Sequence, residues 1–179
     1  MTAWPNVFIL GRLKAGERLL VHGGSSGVGS TAIKLGLLTG AKVIATVGNE
    51  AKREFCLKIG AHAAINYRTQ DFVAEVEKIT EGHGADVILD MAGAAYAKRN
   101  LQALAMDGRV IHISSGDKNE YSVPLSAIMG KRAVVSGSGL RVSALPVKVE
   151  IVRQLNEKVW PHLGAKVTPS DNRYHPPCC

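Results

Sequence analysis

The sequence predicts an α/β fold, a doubly wound parallel sheet of about six strands with helices on both faces. Three observations carry this reading. Strand-like and helix-like segments alternate along the chain with short loops between them. The strand-like segments are apolar on both faces, as strands covered by helices above and below must be. The first strand runs into a glycine-rich turn that reopens at once as a helix, in Leu19-Leu-Val-His-Gly-Gly-Ser-Ser-Gly-Val-Gly-Ser30.

The segments follow in order. A helix over 2–13 carries Trp4, Val7 and Phe8 on one side, and nothing ahead of it in the chain covers that side. The first strand spans 19–22. The helix over 28–39 is apolar nearly all round, as a helix packed into a sheet is, and Gly40 ends it. A strand over 41–47 leads to a helix over 50–59, capped by Asn49 and placing Ala51, Phe55 and Ile59 on one face. A short strand spans 63–66, then a helix over 70–80 turns Phe72, Val73, Val76 and Ile79 inward. The strand over 85–90 is followed by a helix over 94–105, a strand over 109–113, a short helix over 125–129, a strand over 133–136 and a last helix over 147–160 that aligns Val147, Ile151, Leu155 and Val159. The domain is expected over 1–163. The polar, proline-rich segment 164–179 is expected to lie outside the core.

Composition narrows the class. Hydrophobic residues make up 46% and charged residues 21% of the 179, an ordered globular balance. No apolar run approaches the ~18 residues of a membrane span, and the first residues lack a secretory pattern, so the cytoplasm is the expected compartment. Three cysteines do not form a disulfide framework, and no Cys-x-x-Cys spacing occurs. The six histidines are scattered and Cys178-Cys179 are adjacent, so no metal site is expected. The net charge is +7, but Lys and Arg occur in pairs such as Lys52-Arg53 and Lys98-Arg99, without long runs or interleaved aromatics. That pattern argues against nucleic acid and suits a domain holding a polyanionic cofactor.

The glycine turn is the first candidate site. A strand that ends in such a turn points free backbone N–H groups, and the positive end of the helix dipole, at one spot. Gly24, Gly27 and Gly29 keep a Gly-x-x-Gly-x-Gly spacing, which a tight turn without a ligand also shows. The tip of the second strand, Thr46-Val-Gly-Asn49, carries no acid for a ribose hydroxyl, and Glu50 reads as a first-turn helix acid behind its cap. Lys52 follows one turn on, able to reach a phosphate, and Gly48 lets that phosphate approach the backbone. These features favour NADP(H) over NAD(H). Tyr67 is either a half-buried aromatic at a strand end or a phenol donating to the adenosine 2′-phosphate. His22 and His112 read as hydrogen-bonded groups at the edge of the core. A short-chain dehydrogenase is set aside because no Tyr-x-x-x-Lys pair exists. Residues four after Tyr67, Tyr96, Tyr121 and Tyr174 are Asp71, Asn100, Leu125 and Cys178.

In combination, Arg12-Leu-Lys-Ala-Gly-Glu17, the glycine turn, Ala41-Lys-Val-Ile-Ala-Thr-Val-Gly48, Ile65-Asn-Tyr-Arg68, Asp86-Val-Ile-Leu-Asp90, Gly108-Arg109 and Gly137-Ser-Gly-Leu-Arg141 resemble the zeta-crystallin-like quinone oxidoreductases of the medium-chain dehydrogenase/reductase superfamily. The likeness runs in order over roughly 2–163. It implies a Rossmann domain that binds NADP(H) for hydride transfer to a quinone or an activated C=C, without zinc. By that resemblance, Ser26, Gly27 and Val28 match the pyrophosphate turn. Gly48, Lys52 and Tyr67 match the 2′-phosphate positions, and Ile113 with its neighbours His112 and Ser114 matches the strand end beside the nicotinamide. The segment 136–141, bounded by Ser136 and Arg141, matches the edge strand through which such enzymes form homodimers. The family's GroES-like catalytic domain is expected to be absent from this chain. No catalytic residue is therefore assigned, and a non-catalytic nucleotide-binding or dimerising fragment is the alternative.

Overall fold

Apolar runs with a residue on each face of the sheet need cover on both sides, and the chain supplies it by winding in two directions from its first strand. The computed structural model describes residues 1–116 and 120–162. Its strands are β1 (Arg18–His22), β2 (Lys42–Val47), β3 (Ala63–Asn66), β4 (Ala85–Asp90), β5 (Leu104–His112) and β6 (Val134–Gly137). The α-helices are α1 (Gly27–Leu38), α2 (Glu50–Lys58), α3 (Phe72–Ile79), α4 (Ala97–Ala103), α5 (Leu125–Lys131) and α6 (Leu145–Lys158). The strands form one parallel sheet in the order β3-β2-β1-β4-β5-β6. The chain moves outward from β1 to β3 and then returns to β4 on the other flank of β1. The crevice over the carboxyl ends of β1 and β4 is therefore the topological switch point, where open α/β sheets hold their ligands.

The two-residue period of a strand divides each apolar run between two cores. Leu19, Val21, Val43, Ala45, Val87 and Leu89 join Ala32, Ile33, Cys56, Ile151 and Leu155 on one face. Leu20, Ile44, Ile88 and Val110 join Phe72, Val76 and Leu101 on the other. The central register places Leu20 between Ile44 and Ile88, so the β-branched and leucine side chains stack in rows across the sheet. Among the described residues no helix is long and apolar enough to cross a membrane.

Several expectations need correction. The first helix is shorter than 2–13: the backbone turns helical at Ala3 and Trp4 and continues as a π-helix over Pro5–Leu10. Its apolar side is covered after all, from the far end of the chain. Trp4 is buried beside α6 and donates its indole N–H to Gln154 Oε1 at 2.8 Å. The helix over 94–105 is a 3-10 turn (Gly93–Tyr96) followed by α4, and β5 begins already at Leu104. A register shift between Ala85 and Val87 absorbs the extra residues, which loop through Asp107 at φ 59°. Leu104 fits the inward register of either element, so spacing alone did not separate them. In α2 the buried residue is Cys56, and Phe55 is 44% exposed. In α6 Val147 is half exposed while Ile151, Leu155 and Val159 are buried. The edge segment 136–141 is strand only as far as Gly137, and Leu140–Val142 is a 3-10 turn. Ser138 explains the break. Its N–H still donates to the His112 carbonyl at 3.0 Å, while its hydroxyl bonds Asn6 Oδ1 at 2.8 Å and draws the chain toward the N-terminal helix. The segment 164–179 lies outside the described residues.

One polar group sits in the middle of the second core. His22 is 1% exposed and packs edge-on against Phe72 and Tyr96. Its Nε2 lies 2.8 Å from Asn100 Oδ1 and its Nδ1 lies 3.0 Å from Thr46 Oγ1. Asn100 Oδ1 can only accept, so Nε2 carries the proton and Nδ1 accepts from the threonine. Burial holds the imidazole below the usual histidine range, against the opposing pull of Asp90 and of the Asn100 hydrogen bond. A depressed folded value means that the unfolded chain binds the extra proton first. The stability His22 contributes is therefore complete above the unfolded value of ~6.5 and declines below it, by at most about 1.4 kcal/mol per pH unit. Urea midpoints of the wild type and His22→Gln, followed from about pH 8 to about pH 5, are expected to show a steeper acid-side decline for the wild type.

Candidate functional site

The carboxyl ends of β1 and β4 frame the site, and the glycine turn closes its near side. Ser26 caps α1 by accepting the Gly29 N–H at 3.0 Å, and its N–H donates to the Gly23 carbonyl at 2.9 Å. The first i→i−4 bond of the helix runs from the Ser30 N–H to the Ser26 carbonyl at 2.8 Å. The amides of Gly27 and Val28 lie ahead of it, in the positions where a helix has no partners of its own. A Cβ on Gly29 would stand 2.3 Å from the Gly23 carbonyl oxygen, so only glycine lets the helix sit this close to the turn. A Cβ on Gly27 would meet nothing within 4 Å. Gly29 thus serves the fold, while Gly27 faces open space beside two uncommitted N–H groups. Met91, at the end of β4, closes the far side, with its sulfur 3.4 Å from Ser26 Oγ.

A second cluster forms over β2 and β3. Asn49 caps α2 by accepting the Lys52 N–H at 2.9 Å. Arg53 is tied to the fold: its Nε donates to the Ala64 carbonyl at 3.0 Å, and its Nη1 pairs with Glu50 at 2.6 Å. That ion pair occupies Glu50 as well, as its reading as a helix acid requires. Lys52 is exposed on the first turn, and among the described residues no salt bridge or hydrogen bond holds its ammonium. Across from it, Tyr67 follows β3. A Cβ on Gly48 would lie 2.8 Å from the Tyr67 hydroxyl and 3.6 Å from Arg68 Nε. The structure therefore brings Gly48, Tyr67 and Arg68 together, with Lys52 on the adjoining helix turn. Arg68 was not among the candidates read from the sequence, although its place directly after Tyr67 was signal enough.

The third part lies over β4, β5 and β6. Asp90 is fully buried. Its carboxylate accepts from the Ala92 N–H at 2.6 Å, the Gly93 N–H at 3.2 Å and Asn100 Nδ2 at 3.0 Å, and pairs with His112 Nδ1 at 3.0 Å. Burial pushes its pKa up, but the His112 hydrogen bond, the nearby His22 and the Ala92 amide outweigh it and hold the carboxyl below its usual range. The Ile113 N–H donates to the Asp90 carbonyl at 2.9 Å, which fixes the end of β5 against β4. Ile113 lines a cleft of about 530 Å³ together with Gly93, His112, Tyr121 and Val135. The reading of His112 as a hydrogen-bonded edge group holds for Nδ1 alone. Its Nε2 is buried without a partner among the described residues.

The family described as zinc-binding dehydrogenase matches residues 27–153. The chain belongs to this family. It is 32% identical over 168 residues to a phenolphthiocerol/phthiocerol polyketide synthase of Mycobacterium tuberculosis, a stretch that covers 92% of this chain but only 7% of that protein. Among solved structures it is similar to the nucleotide-binding subdomain of the enoylreductase domain of PpsC from Mycobacterium tuberculosis, with a TM-score of 0.79, 33% identity and 93% of each chain covered. It is also similar to Escherichia coli quinone oxidoreductase complexed with NADPH, with a TM-score of 0.78 and 27% identity over 88% of this chain and 49% of that one. The doubly wound nucleotide-binding fold is thereby shown. Among the described residues no three His, Cys, Asp or Glu side chains gather to hold a metal ion.

The turn and its two glycines make opposite expectations. Gly29→Ala is expected to lower stability by about 1–3 kcal/mol through overpacking against Gly23. Gly27→Ala is expected to leave stability within about 1 kcal/mol of wild type while obstructing whatever the turn holds. Thermal melts with and without added nucleotide check both, and equal losses of stability would remove the distinction.

Proposed function

We propose that the chain is the NADP(H)-binding domain of a zinc-independent reductase acting on a quinone or an activated C=C, of the zeta-crystallin-like kind. The observation that carries the reading is the Gly48, Tyr67 and Arg68 cluster beside Lys52. Gly48 lets the Tyr67 phenol sit close to the backbone, and the cluster offers that phenol and two uncommitted cations where an NAD site would hold an acid. The similarity to an enoylreductase subdomain and to a quinone oxidoreductase complexed with NADPH supports it.

The fit is residue by residue. The Gly27 and Val28 amides hold the diphosphate at the positive end of α1, with Ser26 fixing the turn. Lys52, Tyr67 and Arg68 hold the 2′-phosphate through charge-assisted hydrogen bonds. The sheet order sets the span, since the strands from β2 through β1 and β4 to β5 lie three spacings apart, about 14 Å. That distance brings the nicotinamide end to Ile113. When bound, the cofactor supplies a hydride, and the protein's share is orientation and exclusion of water.

Lys52→Ala and Arg68→Ala are each expected to weaken NADPH binding about ten- to a hundredfold, the loss of one charged hydrogen bond. NADH binding is expected to change little. Calorimetric titration of both nucleotides checks this, and equal losses for the two would remove the 2′-phosphate assignment.

A second reading keeps the nucleotide site without turnover. It is supported by the similarity to a structure described as a nucleotide-binding subdomain. An NADPH oxidation assay with a quinone separates the two. In both readings we propose a homodimer through β6, which lies at the sheet edge with its outer side unpaired among the described strands. Exposed Leu125, Met129, Val134, Val142 and Leu145 lie on the segments around it. Sedimentation is expected to give a dimer, and Val134→Lys a monomer.

A further inference from the structure

The cleft beyond Ile113 has two polar atoms that the nucleotide reading leaves unused. His112 Nε2 and Tyr121 Oη are both buried and neither has a hydrogen-bond partner among the described residues. Buried polar atoms are rarely left in this state, and each one needs a reason. Here the two side chains are neighbours, with ring centroids 4.8 Å apart and the rings edge-to-face at 72°, and both line the same cleft. The cleft is also lined by the apolar Ile113 and Val135 and by Ser114, Ser115, Ser136 and Ser138.

The proton positions follow from the partners. Asp90 is held ionised by its surroundings, so it can only accept. His112 Nδ1 must therefore donate to it. Nε2 then carries a lone pair in neutral imidazole and an N–H in imidazolium. Tyr121 keeps its proton as well, because burial pushes the phenol up to about 12. Among the described residues the ionisable groups facing the His112 ring are Asp90 from β4, His22 from β1 and Tyr121. His22 is neutral, with its Nε2–H donating to Asn100 and its Nδ1 accepting from Thr46, so it does not compete.

We propose that this cleft is an oxyanion-binding, proton-donating site in which His112 Nε2–H and Tyr121 Oη–H both point at one ligand oxygen, with Asp90 holding the imidazole in place. The ligand class is an enolate or phenolate oxygen, the form a carbonyl or quinone oxygen takes once two electrons have been added. Two fixed donors withdrawn from water stabilise such an anion far better than water-exposed donors do. The transfer closes within the site: the Nε2–H bond breaks, its electron pair stays on the ring, and an O–H bond forms on the ligand. Nδ1 keeps its proton, Asp90 keeps its charge, and water restores the proton on Nε2. Delivery to a reduced substrate rests on the reductase reading above, whereas binding of an oxyanion does not.

The probe is 2,4-dinitrophenolate, a coloured anion throughout the neutral range, titrated onto the full chain by equilibrium dialysis. Saturable binding to the wild type is expected. His112→Gln and Tyr121→Phe are each expected to bind about tenfold more weakly, the loss of one hydrogen bond to the anion. The second variant also keeps the test open should the first unfold. No saturable binding to the wild type, or variants that bind as the wild type does, overturns the proposal. A parallel titration with 2′-phospho-ADP-ribose, which lacks the nicotinamide and does not reach this cleft, tests the nucleotide reading by itself. Failure there with the dinitrophenolate result intact would remove the reductase reading and leave the oxyanion site standing.

Discussion

A fully buried carboxylate is the constraint on which the centre of this molecule depends. Asp90 ends β4 at the switch point, where the sheet has no choice but to place it between two cores. An ion in such a place costs several kcal/mol unless its oxygens are fully hydrogen-bonded. Four groups from three pieces of chain meet that requirement: the Ala92 and Gly93 amides of the next turn, Asn100 of α4 and His112 of β5. Asn100 then spends its other end on His22, which reaches Thr46 of β2. One charge therefore orders the ends of the four central strands. Those ends are the floor of the site, so satisfying Asp90 and positioning the site are the same event.

Much of this was legible in the sequence. The alternation of segments identified the sheet and its two helix layers. The glycine turn reopens as α1 as its spacing suggests, and Asn49 caps α2 as its side-chain chemistry suggests. Strand and helix spacing failed where one residue satisfied both periods, as Leu104 does at the start of β5. The edge beyond Gly137 could not be read, because a hydrogen bond from Ser138 to Asn6, more than a hundred residues earlier, breaks it. Long-range pairs of this kind leave no local signal. The same holds for the cover on Trp4 and for the orphaned nitrogen of His112, which only the packing of β4 against β5 makes visible.

The charge of +7 also gains a location. Several of the basic residues are neutralised in place: Arg109 by Glu17 and the Gly11 carbonyl, Arg132 by Asp107, Arg99 by Asp71 and Arg153 by Glu150 and Glu157. Removing these from account leaves Lys52 and Arg68 among the cations without such partners, on the rim above β2 and β3. A net positive field is thus a bulk property, and Lys52 and Arg68 carry a share of it to the rim above β2 and β3.

A pattern recurs in each part of the site. Gly29 is pinned by contact with Gly23, while Gly27 is open. Arg53 is bound to Ala64 and Glu50, while its neighbour Lys52 is uncommitted. His22 has both nitrogens engaged, while His112 has one. In each pair the uncommitted member lies at the carboxyl end of the sheet. Residues selected only for stability would have no reason to sort themselves this way, since an unsatisfied buried nitrogen or an unpaired cation adds nothing to folding. The sorting is what a surface built to receive a multiply charged ligand requires: rigid supports one step back, and unspent donors at the face.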